Sequence, residues 1–178
     1  MKPQLPDELA DLLQMAYSAE RAASFAYQGH AGSVSDADIK AHIKQIEADE
    51  WLHRAEVLKL MKLYGVPVSR WYEFKYFWIG KFIGYSCYVI GWFVATYFAG
   101  RLESGNVNEY YRMMELFHSM NIHEHDKILE EMGIKEKEHE VYFLEKIRTH
   151  KLLPLFEKLF GWGPNKTYNH LKEQDVEV

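Results

Sequence analysis

The sequence predicts an all-α protein whose main part is an antiparallel four-helix bundle, with a long crossover between helices 2 and 3 and a short C-terminal helix. Three observations support this fold class. Apolar residues recur at helical spacing over most of the chain, turn-forming residues separate these segments, and one pattern of glutamate, tyrosine and histidine occurs twice. We expect residues 1–150 to form the bundle and residues 151–178 to add the short amphipathic helix and a polar tail.

The first half of the bundle is predicted as a pair of helices. Apolar spacing indicates a first helix over residues 5–30. Ser35, with Asp38 three residues later, resembles a helix N-cap and opens a second helix that reaches about residue 64. Pro67 and the glycine two residues before it end that helix, because neither residue type continues a helix well.

The second half needs a connection before its helices begin. Residues 66–80 are rich in aromatic side chains and are expected to cross to the far side of the bundle. A third helix then runs from about residue 81 to beyond residue 111, and Asn121 is expected to cap a fourth helix that reaches about residue 150. A proline marks a restart, so that residues 155–160 form the short final helix.

Composition narrows the class of function. The formal net charge of -5 and the lack of a Lys/Arg stripe argue against nucleic-acid binding. Cys87 is the only cysteine, which excludes an intrachain disulfide and a thiolate metal cluster and favours a reducing compartment. Residues 1–7 contain two prolines and no apolar run, so no secretory signal is visible. We therefore expect a cytoplasmic protein.

A repeated pattern of potential metal ligands lies within the helical segments. Each copy has a lone glutamate, a tyrosine seven residues later, and a Glu-x-x-His further on. The first copy comprises Glu20, Tyr27, Glu50 and His53, and the second comprises Glu103, Tyr110, Glu136 and His139. The lone glutamates precede their Glu-x-x-His by 30 and 33 residues, and the midpoints of both intervals coincide with predicted turns.

This spacing predicts that the four glutamates and two histidines meet at one height of the bundle. In an antiparallel helix pair, residues equally distant from the turn lie level, and positions i and i+3 share one face. Di-iron and di-manganese carboxylate bundles use this ligand set. Four buried carboxylates repel one another unless a cation lies between them, and oxygen-rich ligands with two imidazoles suit Fe(II) or Mn(II) better than structural zinc. We therefore expect two iron ions per chain, with manganese as the alternative.

Three further residues are expected to support the ligands, and no catalytic side chain is expected beyond the ligands themselves. Tyr27 and Tyr110 would donate hydrogen bonds to a carboxylate across the site, although positions in an ordinary aromatic core explain them equally well. Asp49 would orient the histidine of the opposite pair. The remaining histidines fit no ligand spacing and are expected at the surface: His30, His42, His118, His123, His125, His150 and His170.

Over about residues 5–150 these motifs resemble the ferritin-like di-iron carboxylate superfamily, and their layout is most similar to the demethoxyubiquinone hydroxylase family. Carried over by position, the resemblance makes Glu20 and Glu103 terminal ligands and makes Glu50 and Glu136 bridging ligands, with the two histidines completing the set. It implies a monooxygenase that activates O2 and oxidises a hydrophobic, quinone-like substrate at a membrane surface.

Two departures from known patterns bear on function. Tyr17, Ser18 and Ala19 precede the first ligand, where the hydroxylase family carries His-x-Gly. Rubrerythrin is similar in ligand pattern, but its rubredoxin-like part needs four cysteines, so electrons here would come from an external donor. The rubrerythrin resemblance implies the alternative function, an iron or peroxide-handling protein without an organic substrate. A metal-dependent structural role is a third hypothesis.

An uncharged segment over residues 82–100 raises the question of membrane contact. It is long enough for a transmembrane helix, but Glu103 must lie among amphipathic helices, which disfavours a spanning helix. The other interpretations are a core that also forms a homodimer or substrate-channel face, and docking on a membrane surface.

Overall fold

The computed structural model describes residues 3–165, and within that range the protein is helical, with no strand. The six helices are α1 (Asp7–Ser33), α2 (Ala37–Leu63), α3 (Arg70–Ser86), α4 (Trp92–Ser119), α5 (Asp126–Ile147) and α6 (Leu153–Phe160). The predicted all-α class is confirmed for the described residues. The polar tail expected near the C-terminus lies largely outside them.

Two long helical pairs form the main body of the molecule. Helix α1 packs against α2 and also against α3, and α4 packs along α5. The two pairs meet through contacts of α1 with α4 and of α2 with α5. Each of these four helices therefore presents one side to the other pair, and the core lies between them.

The core is divided into two apolar clusters at different heights. One contains Leu13 of α1, Met61 of α2, Phe117 of α4 and Leu129 of α5, with further residues from the same four helices. The other is built from the opposite ends of these helices and includes Phe143. The predicted ligands occupy the level between the two clusters, where side chains from both seal the site from water.

The boundaries of α2 and α5 correct two predicted caps. Asp36, not Ser35, caps α2, because its carboxylate accepts hydrogen bonds from two backbone N–H groups of the first turn. Asn121 does not cap α5. It adopts the left-handed conformation with φ of 58° in the turn after α4, and α5 begins five residues later at Asp126.

The predicted crossover and third helix are also wrong in detail. Residues expected to form an irregular connection belong to α3, whose N-cap Ser69 accepts a hydrogen bond from the backbone N–H of Tyr72. The chain then turns, and Gly91, with φ of 81°, precedes the start of α4. The uncharged segment is thus split between two helices. In the part of the chain that the structure describes, no helix has the length and apolarity needed to cross a membrane.

Helix α3 lies against α1 at unusually close range, because glycines form the contact. A Cβ atom at Gly84 would lie 2.6 Å from the backbone oxygen of Phe25, and one at Gly80 would lie 2.5 Å from that of Ala22. This face of α3 therefore accepts no larger residue without displacement of a backbone. The opposite face is exposed and consists of aromatic residues: Trp71, Phe74, Trp78, Phe82 and Tyr85.

Helix α6 covers the ends of α4 and α5. Buried Tyr97 donates hydrogen bonds to the backbone oxygens of Phe156 and Trp162, at 3.0 and 2.7 Å. The indole N–H of Trp162 donates to Glu140 on α5 at 2.8 Å. The segment after residue 150 is thereby fixed to the main body by both apolar and polar contacts.

Candidate metal centre

The six ligands predicted from the sequence lie together in the interior. Each has at most 6% of its surface exposed. They form two overlapping groups of four, in each of which one potential ligand atom per residue lies within 4.8 Å of the others. The first group is Glu20, Glu50, His53 and Glu136, and the second is Glu50, Glu103, Glu136 and His139. Glu50 and Glu136 belong to both groups, so the residues describe two adjacent positions for a cation.

The helices explain this convergence. Glu20 and Glu103 project from α1 and α4, and each Glu-x-x-His lies on one face of α2 or α5. Because α1 is joined to α2 and α4 to α5 by short turns, residues equally far from each turn lie level. The buried Glu/His cluster is therefore a direct result of helix length and antiparallel packing.

The cluster has many acceptors and few donors. Seven buried side-chain polar atoms of the described residues lack a hydrogen-bond partner, and six of them belong to the predicted ligands: Glu20 Oε2, Glu50 Oε1 and Oε2, His53 Nδ1, Glu136 Oε1 and His139 Nδ1. His53 Nδ1 lies 2.8 Å from Glu136 Oε1, yet without the geometry of a hydrogen bond. Buried polar groups are normally paired, so this concentration of unpaired lone pairs fits the coordination of cations.

Burial and mutual repulsion raise the pKa of three carboxyl groups. Burial is the main cause for Glu20, Glu50 and Glu103, and the neighbouring Glu136 adds to it in each case. Burial would also raise the pKa of Glu136, but contacts with Glu103 and the two histidines together hold it below its usual range. Without a cation the cluster therefore holds protons, and bound cations would replace them.

The two tyrosines of the repeated pattern connect its halves. Tyr27 on α1 donates a hydrogen bond to Glu103 on α4, and Tyr110 on α4 donates one to Glu20 on α1. Burial, followed by the charge of the carboxylate that each contacts, raises the pKa of both phenols well above 10. Both tyrosines therefore remain protonated donors, and each fixes the orientation of a lone glutamate.

Asp49 contacts the histidine of the opposite pair. Its Oδ2 lies 3.2 Å from His139 Nε2, and Gln45 donates to its Oδ1 at 3.0 Å. With the Nε2 proton directed at Asp49, the Nδ1 lone pair of His139 faces the glutamates, 3.5 Å from Glu50 Oε1. This arrangement leaves the ring in the tautomer that a metal ligand requires.

Comparison with known proteins adds no family to this geometry. No protein-family model, curated protein or solved structure matches this chain. What the cluster can do is therefore argued from its own residues, namely buried carboxylates and imidazoles at ion-binding distance from one another.

Two residues near the cluster were missed by sequence reasoning. Asn106 donates through Nδ2 to Glu103 Oε2 at 3.1 Å and is 3.4 Å from Glu136 Oε2. Its position three residues after Glu103 is a signal that could have found it. Burial, with the charges of Glu20 and Glu136, raises the pKa of Glu109 to about 7. Charged residues spaced along α4 gave no sign of this proximity.

The expectation that all other histidines lie at the surface is wrong for two of them. His30 is 2% exposed and stacks on Phe143, and His125 is 7% exposed and packs against Phe117. His42, His118 and His123 are exposed, His150 is half-buried, and His170 lies outside the described residues. Helical periodicity places a histidine on a face, but it does not show whether another helix covers that face.

Proposed function

We propose that α1, α2, α4 and α5 form a ferritin-like four-helix bundle around a di-iron centre, with α3 in the crossover. We further propose that the protein is an oxidoreductase that uses O2 to hydroxylate or oxidise a hydrophobic, quinone-like molecule. The observation that supports this most strongly is the set of six unpaired, buried ligand atoms contributed by four helices. Iron or manganese suits this oxygen-rich donor set.

The assignment of residues to the two metal positions follows the overlapping groups. Glu20 and His53 would hold one ion, and Glu103 and His139 would hold the other. Glu50 and Glu136, common to both groups, would lie between the ions. Two divalent ions carry the charge needed to offset four carboxylates, which removes the repulsion that otherwise raises the carboxyl pKa values.

Iron at this site would supply redox chemistry that no amino-acid side chain provides, namely the activation of O2. The net hydroxylation combines a C–H bond, O2, two electrons and two protons to give a C–OH group and water. An external electron donor must supply the electrons, since the chain has a single cysteine and no thiolate cluster. The protein's own residues hold the ions, exclude water through the apolar clusters, and orient the lone glutamates through Tyr27 and Tyr110.

The exposed aromatic face of α3 supports a hydrophobic substrate and contact with a membrane surface. Trp71, Phe82 and Tyr85 are 66–74% exposed along one side of this helix. Lys75 and Lys81 lie on the same helix, and basic residues beside aromatic ones suit the headgroup region of a bilayer. A cytoplasmic protein that binds a membrane from this side would reach a lipophilic substrate directly. A homodimer through the same face is the alternative, and sedimentation with and without anionic vesicles separates the two.

One observation favours the alternative function, a rubrerythrin-like or ferritin-like protein that handles iron or peroxide. A cavity of about 600 Å³ opens between α1 and α2, but its lining includes Lys40, Lys44 and Trp51 and none of the six ligands. A cluster reached only by small molecules would oxidise iron with O2 or peroxide and would need no organic substrate.

Anaerobic loading with Fe(II), followed by mixing with O2 or peroxide, tests the proposal. We expect the protein to bind two irons per chain and to consume O2 in the presence of a reductant, with product formed from a lipophilic quinone. Glu50→Ala with His139→Ala should abolish O2 consumption, whereas Glu138→Gln, at an exposed position on α5, should not. Faster oxidation by peroxide than by O2, without product, would favour the alternative. No reaction with either oxidant would overturn both functions and leave a structural metal site.

A further inference from the structure

Three potential metal ligands meet at the turn between α4 and α5. Asp126 Oδ1 lies 2.7 Å from His118 Nε2, and Asp126 Oδ2 lies 3.4 Å from His123 Nδ1. The ligand atoms of all three residues lie within 4.8 Å of one another. At a rise of about 1.5 Å per residue, Asp126 is roughly 15 Å along α5 from Glu136, so this cluster is separate from the buried one.

The backbone of the turn holds the two histidines together. Asn121, in the left-handed conformation, donates its N–H to the backbone oxygen of His118 at 2.8 Å. Ile122 donates to the backbone oxygen of Phe117 at 3.0 Å, and both side chains pack in the adjoining apolar cluster. The turn therefore brings His123 back over His118, with ring centroids 4.3 Å apart.

Ion pairing alone explains this arrangement poorly. An ion pair with Asp126 requires one protonated histidine, but here two imidazoles each face a different oxygen of the same carboxylate. Two protonated rings at 4.3 Å would repel each other. A divalent cation would instead bind two neutral imidazoles and the carboxylate together, which turns the repulsion into three attractive contacts.

We propose that His118, His123 and Asp126 form a second, solvent-facing site for a borderline divalent cation such as Zn²⁺. Two imidazoles and one carboxylate are typical ligands of zinc sites that keep an open position. The side chains of the three residues are 34–58% exposed, which leaves that position to water or to an incoming ligand. Tetrahedral coordination needs ligand atoms about 3.3 Å apart, and small rotations of exposed side chains reach that separation.

This site is independent of the proposed function, and the experiment keeps the two apart. The background is Glu50→Gln with Glu136→Gln, which removes the two glutamates common to both groups of the buried cluster. Zn²⁺ alone is the probe, measured by equilibrium dialysis and elemental analysis at neutral pH. We expect one Zn²⁺ per chain in this background and three in the unaltered protein.

Matched carboxylate variants then test the ligands. In the same background, Asp126→Asn should weaken Zn²⁺ binding at least about tenfold, whereas Glu130→Gln, an exposed carboxylate on the same helix, should leave it unchanged. His123→Asn provides a second ligand variant at an exposed position should Asp126→Asn fold poorly. No Zn²⁺ binding in the background, or equal binding by the Asp126 and Glu130 variants, would overturn the proposal.

Discussion

Replacement of Glu50 by glutamine separates the cost of the buried carboxylates from their benefit. Glu50 is fully buried, and burial together with Glu136, Glu103 and Glu20 raises its pKa well above the ordinary value of 4.5. In the metal-free protein at pH 7 this carboxyl keeps its proton, although the unfolded chain would release it. Each pH unit above 4.5 then costs about 1.4 kcal/mol, which gives a penalty of up to about 3 kcal/mol at pH 7.

Glutamine has nearly the same shape and needs no proton. We therefore expect metal-free Glu50→Gln to have a free energy of unfolding up to about 3 kcal/mol higher than the unaltered protein at pH 7. The sign is defined by linkage: a folded-state pKa above the unfolded value lowers stability as pH rises above 4.5. The difference should accordingly shrink to near zero as the pH falls to about 4.5.

With metal the order should reverse. A ligand present at 100 times its dissociation constant adds about 2.7 kcal/mol per site to the free energy of unfolding. The unaltered protein should gain this stabilisation from Mn²⁺, and Glu50→Gln should lose most of it, because Glu50 belongs to both ligand groups.

Urea denaturation with EDTA and with Mn²⁺ measures both effects. Glu138→Gln is the control, since Glu138 is exposed and its change should shift stability by less than about 0.5 kcal/mol in either condition. The reasoning would be refuted if Glu50→Gln lowered stability without metal, or if Mn²⁺ stabilised the variant as strongly as the unaltered protein.

Three further outcomes follow from other contacts. Tyr27→Phe removes the hydrogen bond to Glu103 and should weaken Mn²⁺ binding about 10-fold to 100-fold in calorimetric titration; an effect no larger than that of Tyr142→Phe would contradict this role. Gly84→Ala should cost about 1–3 kcal/mol in urea denaturation because its Cβ would lie 2.6 Å from a backbone oxygen. Gly105→Ala, which has no atom within 4 Å of its added Cβ, should instead be neutral or stabilising, and equal effects would refute the close approach. Burial lowers the pKa of His30 to about 4 from 6.5, so its contribution to the free energy of unfolding should fall by about 3 kcal/mol as the pH drops from 6.5 to 4. In pH-dependent denaturation, His30→Gln should lack this loss, and an identical pH profile in the two proteins would disprove it.

The convergence of the Glu/His residues was predictable because it depends on two regular quantities, the rise of a helix and the position of a turn. Glu20 and Glu50 are equally far from one turn, and Glu103 and Glu136 from another. The predicted turns were slightly misplaced, but a shift of a few residues moves both partners together and leaves them level.

The parts that were not predictable depend on contacts between elements. The uncharged segment has no charge pattern to show where α3 ends, and only Gly91 and the packing of α3 on α1 divide it. The burial of His30 and the hydrogen bonds of Asn106 likewise arise from neighbouring helices. The meeting of His118, His123 and Asp126 depends on the left-handed residue in the turn, which no helical period indicates.

Anomalous X-ray scattering from crystals grown after anaerobic loading with iron tests the central claim most directly. Data collected on both sides of the iron absorption edge would identify the element as well as its position. The account predicts two iron peaks within a few ångströms of each other, each within ligand distance of Glu50 and Glu136. Peaks only elsewhere, or none, with those two carboxylates still facing one another, would contradict it.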